Sequence, residues 1–134
     1  HALGVRIIQL TFHERNLLGD GCYESANAGL SNFGIDAVRE MNRLGILIDL
    51  SHVGERSTLE TIERSEKPVA VTHANCRSYF EQPRNKTHEA LKLLAEKGGV
   101  AGATAIASSC VYWPWSTRRA RARASCLRTM IILA

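Results

Sequence analysis

A chain of 134 residues can bury one ordinary core and no more, and 45% apolar with 22% charged residues argues against a disordered or membrane-embedded body. The formal charge of +4 comes from one stretch: Arg118, Arg119, Arg121, Arg123 and Arg128 follow the last acidic residue, Glu96, and removing those five from 17 basic residues leaves 12 against 13 acidic ones. A body near neutrality carries no electrostatic footprint for nucleic acid, and no apolar run approaches the roughly 18 residues that span a bilayer.

Val5 to Leu10 (VRIIQL) is β-branched and apolar and predicts a buried strand, followed at once by His13. Glu14 to Asn32 carries Gly19, Gly21, Gly29 and Asp20 with little periodicity and predicts a long loop, the kind that is often functional in a compact domain. Phe33, Ala37, Val38, Met41 and Leu44 then fall at helical spacing, with Ser31 or Asn32 as N-cap and Gly45 to end the helix. Ile46 to Leu50 (ILIDL) predicts a second buried strand leading to Ser51 and His52, and Glu55 to Ser65 a second helix that presents Leu59 and Ile62 inward.

After Pro68, Val69 to Thr72 (VAVT) predicts a third strand ending on His73, and Ala74 to Lys86 a polar loop. Thr87 can cap a helix through Lys97 that buries Ala90, Leu91 and Leu94, with Gly98 and Gly99 closing it before a fourth strand over Val100 to Ile106. Strands alternating with helices predict a parallel α/β sheet, open or closed into a barrel, with function at the carboxyl ends of the strands. Past Ser109 the rhythm stops: Trp113-Pro114-Trp115 precedes the arginine-rich stretch and a short apolar end, Met130 to Ala134. The expected division is a domain over 1–107 and an unrelated-looking tail over 108–134, read as an irrelevant terminus, such as a frameshift product, in preference to a basic arm.

Cys22, Cys76, Cys110 and Cys126 form no C-x-x-C pair and define neither a zinc finger nor a disulfide framework. His1-Ala2-Leu3-Gly4 has no signal-peptide layout, and localisation stays open between cytoplasmic and secreted. His52 and His73 each stand just beyond a short apolar strand, 21 residues or about one strand-helix unit apart, so both belong at one end of the sheet. Strands about 4.8 Å apart allow two such imidazoles to share an ion, although either one alone could simply hydrogen-bond at a strand end. His13 occupies the equivalent place after the first strand. Three histidines from three strand ends favour a site, without separating ligand from acid-base group. Arg84, in the polar loop, is either a bidentate carboxylate clamp or an ordinary surface arginine. Asp49 is out of phase with His52 on its strand, which points to a supporting role over ligation, and His1 and His88 read as surface residues.

GVRIIQLTFHERN (Gly4 to Asn16), REMNRLGILIDLSHVG (Arg39 to Gly54), VAVTHANCRSY (Val69 to Tyr79) and PRNKTHEAL (Pro83 to Leu91) together resemble the membrane (renal) dipeptidase family of zinc peptidases, over about residues 2–106. The resemblance implies a partial (β/α) barrel of the metal-dependent hydrolase, amidohydrolase-like type. It implies hydrolysis of a dipeptide by water activated at two zinc ions, with His52 and His73 as ligands of one of them. It also implies that His13 meets the substrate and stabilises the developing oxyanion, and that Arg84 grips the dipeptide carboxylate.

By the family pattern the remaining ligands, an H-x-D pair, a bridging glutamate and a late aspartate, are expected outside residues 1–106. The 134 residues alone are therefore expected to be catalytically incomplete, and to associate through exposed strand edges. A homodimer is one expected assembly. The competing readings are a non-catalytic binding or regulatory module on the same fold, and a nucleic-acid-binding protein resting on the basic tail.

Overall fold

The structure, a computed structural model, describes residues 1–104. The tail expected over 108–134 and the end of the predicted fourth strand lie outside the described residues. Seven elements alternate along the chain: β1 (Ile7–Gln9), α1 (Asn32–Leu44), β2 (Leu47–Asp49), α2 (Glu55–Arg64), β3 (Ala70–Val71), α3 (His88–Glu96) and β4 (Val100–Ala101). The strands form one parallel sheet in the order β1-β2-β3-β4, with Gln9 opposite Asp49, Asp49 opposite Ala70 and Ala70 opposite Val100. This is the predicted α/β alternation, with shorter strands than the apolar runs suggest.

Local chemistry sets the helix ends. The Ser31 side chain accepts from Gly34 N–H, satisfying one of the first-turn amides that lack an intrahelical partner. Gly45, at φ 69°, turns the chain into the left-handed region and returns its N–H to the carbonyl of Asn42, which stops α1 there. Thr87 caps α3 in the same way, its hydroxyl accepting from Ala90 N–H at 3.1 Å.

The core gathers where α1 and α2 cover the sheet: Val38, Leu50, Val53 and Leu94 are wholly buried, with Leu10, Ile48, Ile62 and Val71 beside them. Each such side chain contributes roughly 1.5–3 kcal/mol by leaving water, enough to anchor strands only two or three residues long.

Three expectations are corrected. β1 is not buried: Ile7 is 52% and Ile8 36% exposed, because β1 lies at the edge of the described sheet and pairs only with β2. α2 buries Ser57, Thr58 and Thr61 with Ile62, while Leu59 is half-buried. Small hydroxyl side chains let the helix approach closely, and each hydroxyl is satisfied: Thr61 donates to the Ser57 carbonyl, and Ser57 Oγ accepts from Asp20 N–H. Phe33, expected inward, is 61% exposed in the first turn of α1.

The loop between β1 and α1 is pinned. Asp20, fully buried, accepts from Arg15 Nη1 at 2.9 Å and from Ala28 N–H, while Gly21 bridges to Val53 beyond β2. No helix among the described residues is long and apolar enough to cross a membrane.

Candidate metal centre at the strand ends

Parallel register brings the predicted histidines together. His52 and His73 each stand three residues beyond a paired position, Asp49 on β2 and Ala70 on β3, so they are lateral equivalents at the carboxyl edge. Their Nε2 atoms are 3.0 Å apart and their ring centroids 5.0 Å apart. His13 joins from the end of β1: its ring lies 4.7 Å from that of His52 and stacks on Phe12 at 4.1 Å, with Tyr23 on another side at 4.7 Å.

Two of the three histidines have left-handed backbones, His13 at φ 62° and His52 at φ 61°. A non-glycine residue there costs on the order of 1–3 kcal/mol, so the surroundings must hold it. For His52, its carbonyl accepts from Cys22 N–H at 2.9 Å and from the Thr11 hydroxyl at 3.4 Å. The next carbonyl, of Val53, accepts from Lys86 Nζ at 2.7 Å. For His13, the carbonyl accepts from Tyr23 N–H at 2.8 Å, and Gly21 passes so near that any Cβ there would fall on the His13 backbone.

His73 is held by its side chain. Its Nδ1 is 2.7 Å from Thr72 Oγ1, and Thr72 Oγ1 is 2.6 Å from Asp49 Oδ2. Burial works to raise the Asp49 carboxyl pKa, but hydrogen bonds from Thr72 and Ser51 outweigh it and keep the group below the usual carboxylate value. Asp49 thus supports the site without lying at the shared point.

Electrostatics favour neutral imidazole at that point. Burial, the nearby Arg84 guanidinium and the other two histidines push His52 down to about 4, so its ring is unprotonated at neutral pH. Burial raises the Cys22 thiol, against the opposing pull of Lys86. The sequence expectation of Arg84 as a surface residue is the reading that fails: it is 5% exposed, and Nη2 donates to the His73 carbonyl at 3.1 Å. His1 and His88 are exposed, as expected.

Two side chains went unsuspected in the sequence. Cys22 offers, with His13 and His52, ligand atoms all within 4.8 Å of one another. Lys86 is 1% exposed, donates to Val53 O and Thr58 Oγ1, and is pushed down to about 8 by burial.

The donor set fits a zinc ion at the His52–His73 pair. Two ligands at ~2.05 Å in tetrahedral geometry stand about 3.4 Å apart, so opening the pair by a few tenths of an ångström suffices, and both groups are nitrogen donors of the kind zinc takes. The Cys22 grouping is looser, and its thiol is held protonated, so the histidine pair is the better site.

Comparison with known proteins gives the chain's family and fold. A profile of the membrane dipeptidases (peptidase family M19) matches residues 1–122. Dipeptidase verJ of Clonostachys rogersoniana is 40% identical over 102 residues, which is 75% of this chain and 26% of that protein. Among solved structures, an amidohydrolase from Pseudomonas aeruginosa is 48% identical with a TM-score of 0.73, over 76% of this chain and 31% of the other. A metallopeptidase from Rhodobacter sphaeroides, solved with a phosphinate mimic of the dipeptide L-Ala-D-Ala, is 25% identical with a TM-score of 0.79, over 98% of this chain and 40% of that one. The four parallel strands are accordingly part of a barrel of this hydrolase type, and the chain spans about a quarter of the length of the first curated relative.

Proposed function

The chain belongs to the membrane dipeptidase family, and from that premise we propose that the protein it represents hydrolyses dipeptides at a zinc centre to which His52 and His73 contribute. The observation that carries the reading is the 3.0 Å approach of two imidazole Nε2 atoms from register-equivalent strand ends. The relative solved with a dipeptide mimic supports the substrate class.

A zinc ion held there supplies Lewis acidity toward the scissile carbonyl and lowers the pKa of a bound water to about 7. His13, stacked against Phe12 and beside His52, is the donor aimed at the charge that develops on the carbonyl oxygen. Arg84, next to the His73 backbone, grips the dipeptide carboxylate and so fixes which bond is presented. In this reading the complete centre has two zinc ions, residues 1–107 provide ligands for one of them, and the 134 residues alone do not turn over substrate. A homodimer is one assembly open to the parent protein, which its sedimentation behaviour will test.

Zinc content and dipeptide turnover of the full-length protein test the assignment. Alanine at His52 or at His73 is expected to remove one zinc equivalent and abolish turnover. Full zinc occupancy in both variants would sink it.

A further inference from the structure

The proton inventory around Asp49 fixes the direction of the hydrogen bond at His73 Nδ1. Asp49 Oδ1 accepts from Ser51 N–H at 2.9 Å, Ser51 Oγ at 2.8 Å and Thr72 N–H at 3.0 Å, and Oδ2 faces Thr72 Oγ1 at 2.6 Å. An ionised carboxylate has no proton to give. The single hydroxyl proton of Thr72 therefore lies on the Asp49 side; aiming it elsewhere would set two lone pairs against each other across 2.6 Å.

With that proton committed, Thr72 Oγ1 can only accept from its other neighbours. Ser51 Oγ, at 3.2 Å, cannot return a proton to it while giving its own to Asp49, and Ser51 also accepts from His73 N–H at 3.0 Å. The remaining contact is His73 Nδ1 at 2.7 Å, and it has to be the donor.

We infer that Asp49 and Thr72 are positioning residues that hold His73 as its Nδ1–H tautomer, so that the Nε2 lone pair faces His52. A neutral imidazole has one protonated nitrogen, and the hydrogen bond made by that nitrogen decides which one is left as a donor to metal. The hydroxyl of Thr72 serves as the link because the Asp49 carboxylate is itself 4.0 Å from His73 Nδ1, outside direct hydrogen-bond reach. Ser51 completes the frame by tying the His73 backbone to the same carboxylate. The step to metal rests on the zinc reading above; the tautomer does not.

Nitrogen-15 NMR of the full-length, metal-free protein reads the tautomer directly. His73 is expected with a protonated Nδ1 and a bare Nε2 in the native chain and in Thr72→Ser, and with that preference lost in Thr72→Val, which keeps the side-chain shape. Zinc affinity, measured by chelator competition, should fall about 10- to 100-fold in Thr72→Val and recover in Thr72→Ser. A protonated Nε2 in the native protein, or a Thr72→Val variant with native tautomer and native zinc affinity, overturns the inference. An Nδ1–H signal that zinc fails to perturb would uphold the tautomer and retire the metal assignment, which keeps the two failures distinct.

Discussion

Replacing Lys86 by methionine should change how stability responds to alkali. Lys86 is pushed from 10.5 down to about 8 because its ammonium sits in the interior, where it donates to Val53 O and Thr58 Oγ1. Near pH 7 the lysine is charged in both folded and unfolded chains, and the fold carries the full cost. Above about pH 8 the folded chain sheds the proton first while the unfolded chain holds it to about 10.5, so the unfolded state binds more protons and stability rises with pH.

At about 1.4 kcal/mol per pH unit, the gain between pH 7 and pH 10 is about 2.5 kcal/mol. Methionine keeps an unbranched stem and has nothing to titrate. Chemical denaturation of the full-length protein with and without Lys86→Met, both in a Cys22→Ala background that removes the thiol felt by Lys86, reads the effect as a difference between the two pH values. The protein that keeps Lys86 should gain about 2.5 kcal/mol relative to the methionine variant on going to pH 10. A difference that does not change with pH would show that Lys86 is not titrating in a buried setting, and the reasoning about its burial would fall.

Arg84→Lys should raise KM for dipeptides at least tenfold with a smaller effect on kcat, as expected for loss of a planar clamp; an unchanged KM would remove it from the substrate site. Gly21→Ala puts a methyl onto the His13 carbonyl and is expected to cost about 1–3 kcal/mol and to depress turnover, checked by melting and kinetics together. Ser31→Ala removes the cap of α1 and should cost about 1 kcal/mol while leaving zinc content intact, a control for the site variants. The isolated 134-residue chain, with Ile7 and Val100 about half exposed at the two edges of the described sheet, should self-associate in size-exclusion chromatography; a monodisperse monomer would contradict it.

The alternation of strand and helix was legible because each apolar run is short and α1 and α3 carry their caps in the sequence: Ser31, Gly45 and Thr87 all act where their chemistry suggests. His13, His52 and His73 were legible for a related reason, since strand-end position is a property of spacing. What spacing could not show is conformation. Nothing in LSH or TFH announces a left-handed backbone, which is imposed from outside by Cys22 N–H, Tyr23 N–H and the Lys86 ammonium.

The loop from Ala74 to Lys86 reads as polar and hence as surface, yet Arg84, Asn85 and Lys86 are buried, because Lys86 pairs with Cys76 and Arg77 folds back on the Lys86 carbonyl. Thr72 was hidden for the opposite reason. A threonine at a strand end is ordinary by composition, and its role appears only when the proton on its hydroxyl is assigned. α2 was misread at Leu59 since hydroxyl residues close-packed through Ser57, Thr58 and Thr61 carry no apolar signal.

The most direct test of the zinc reading is anomalous diffraction at the zinc edge from crystals of the zinc-loaded full-length protein. The expected result is a peak ~2.0–2.1 Å from both His52 Nε2 and His73 Nε2. A peak held by His13, Cys22 and His52 without His73, or none at the strand ends, would contradict it.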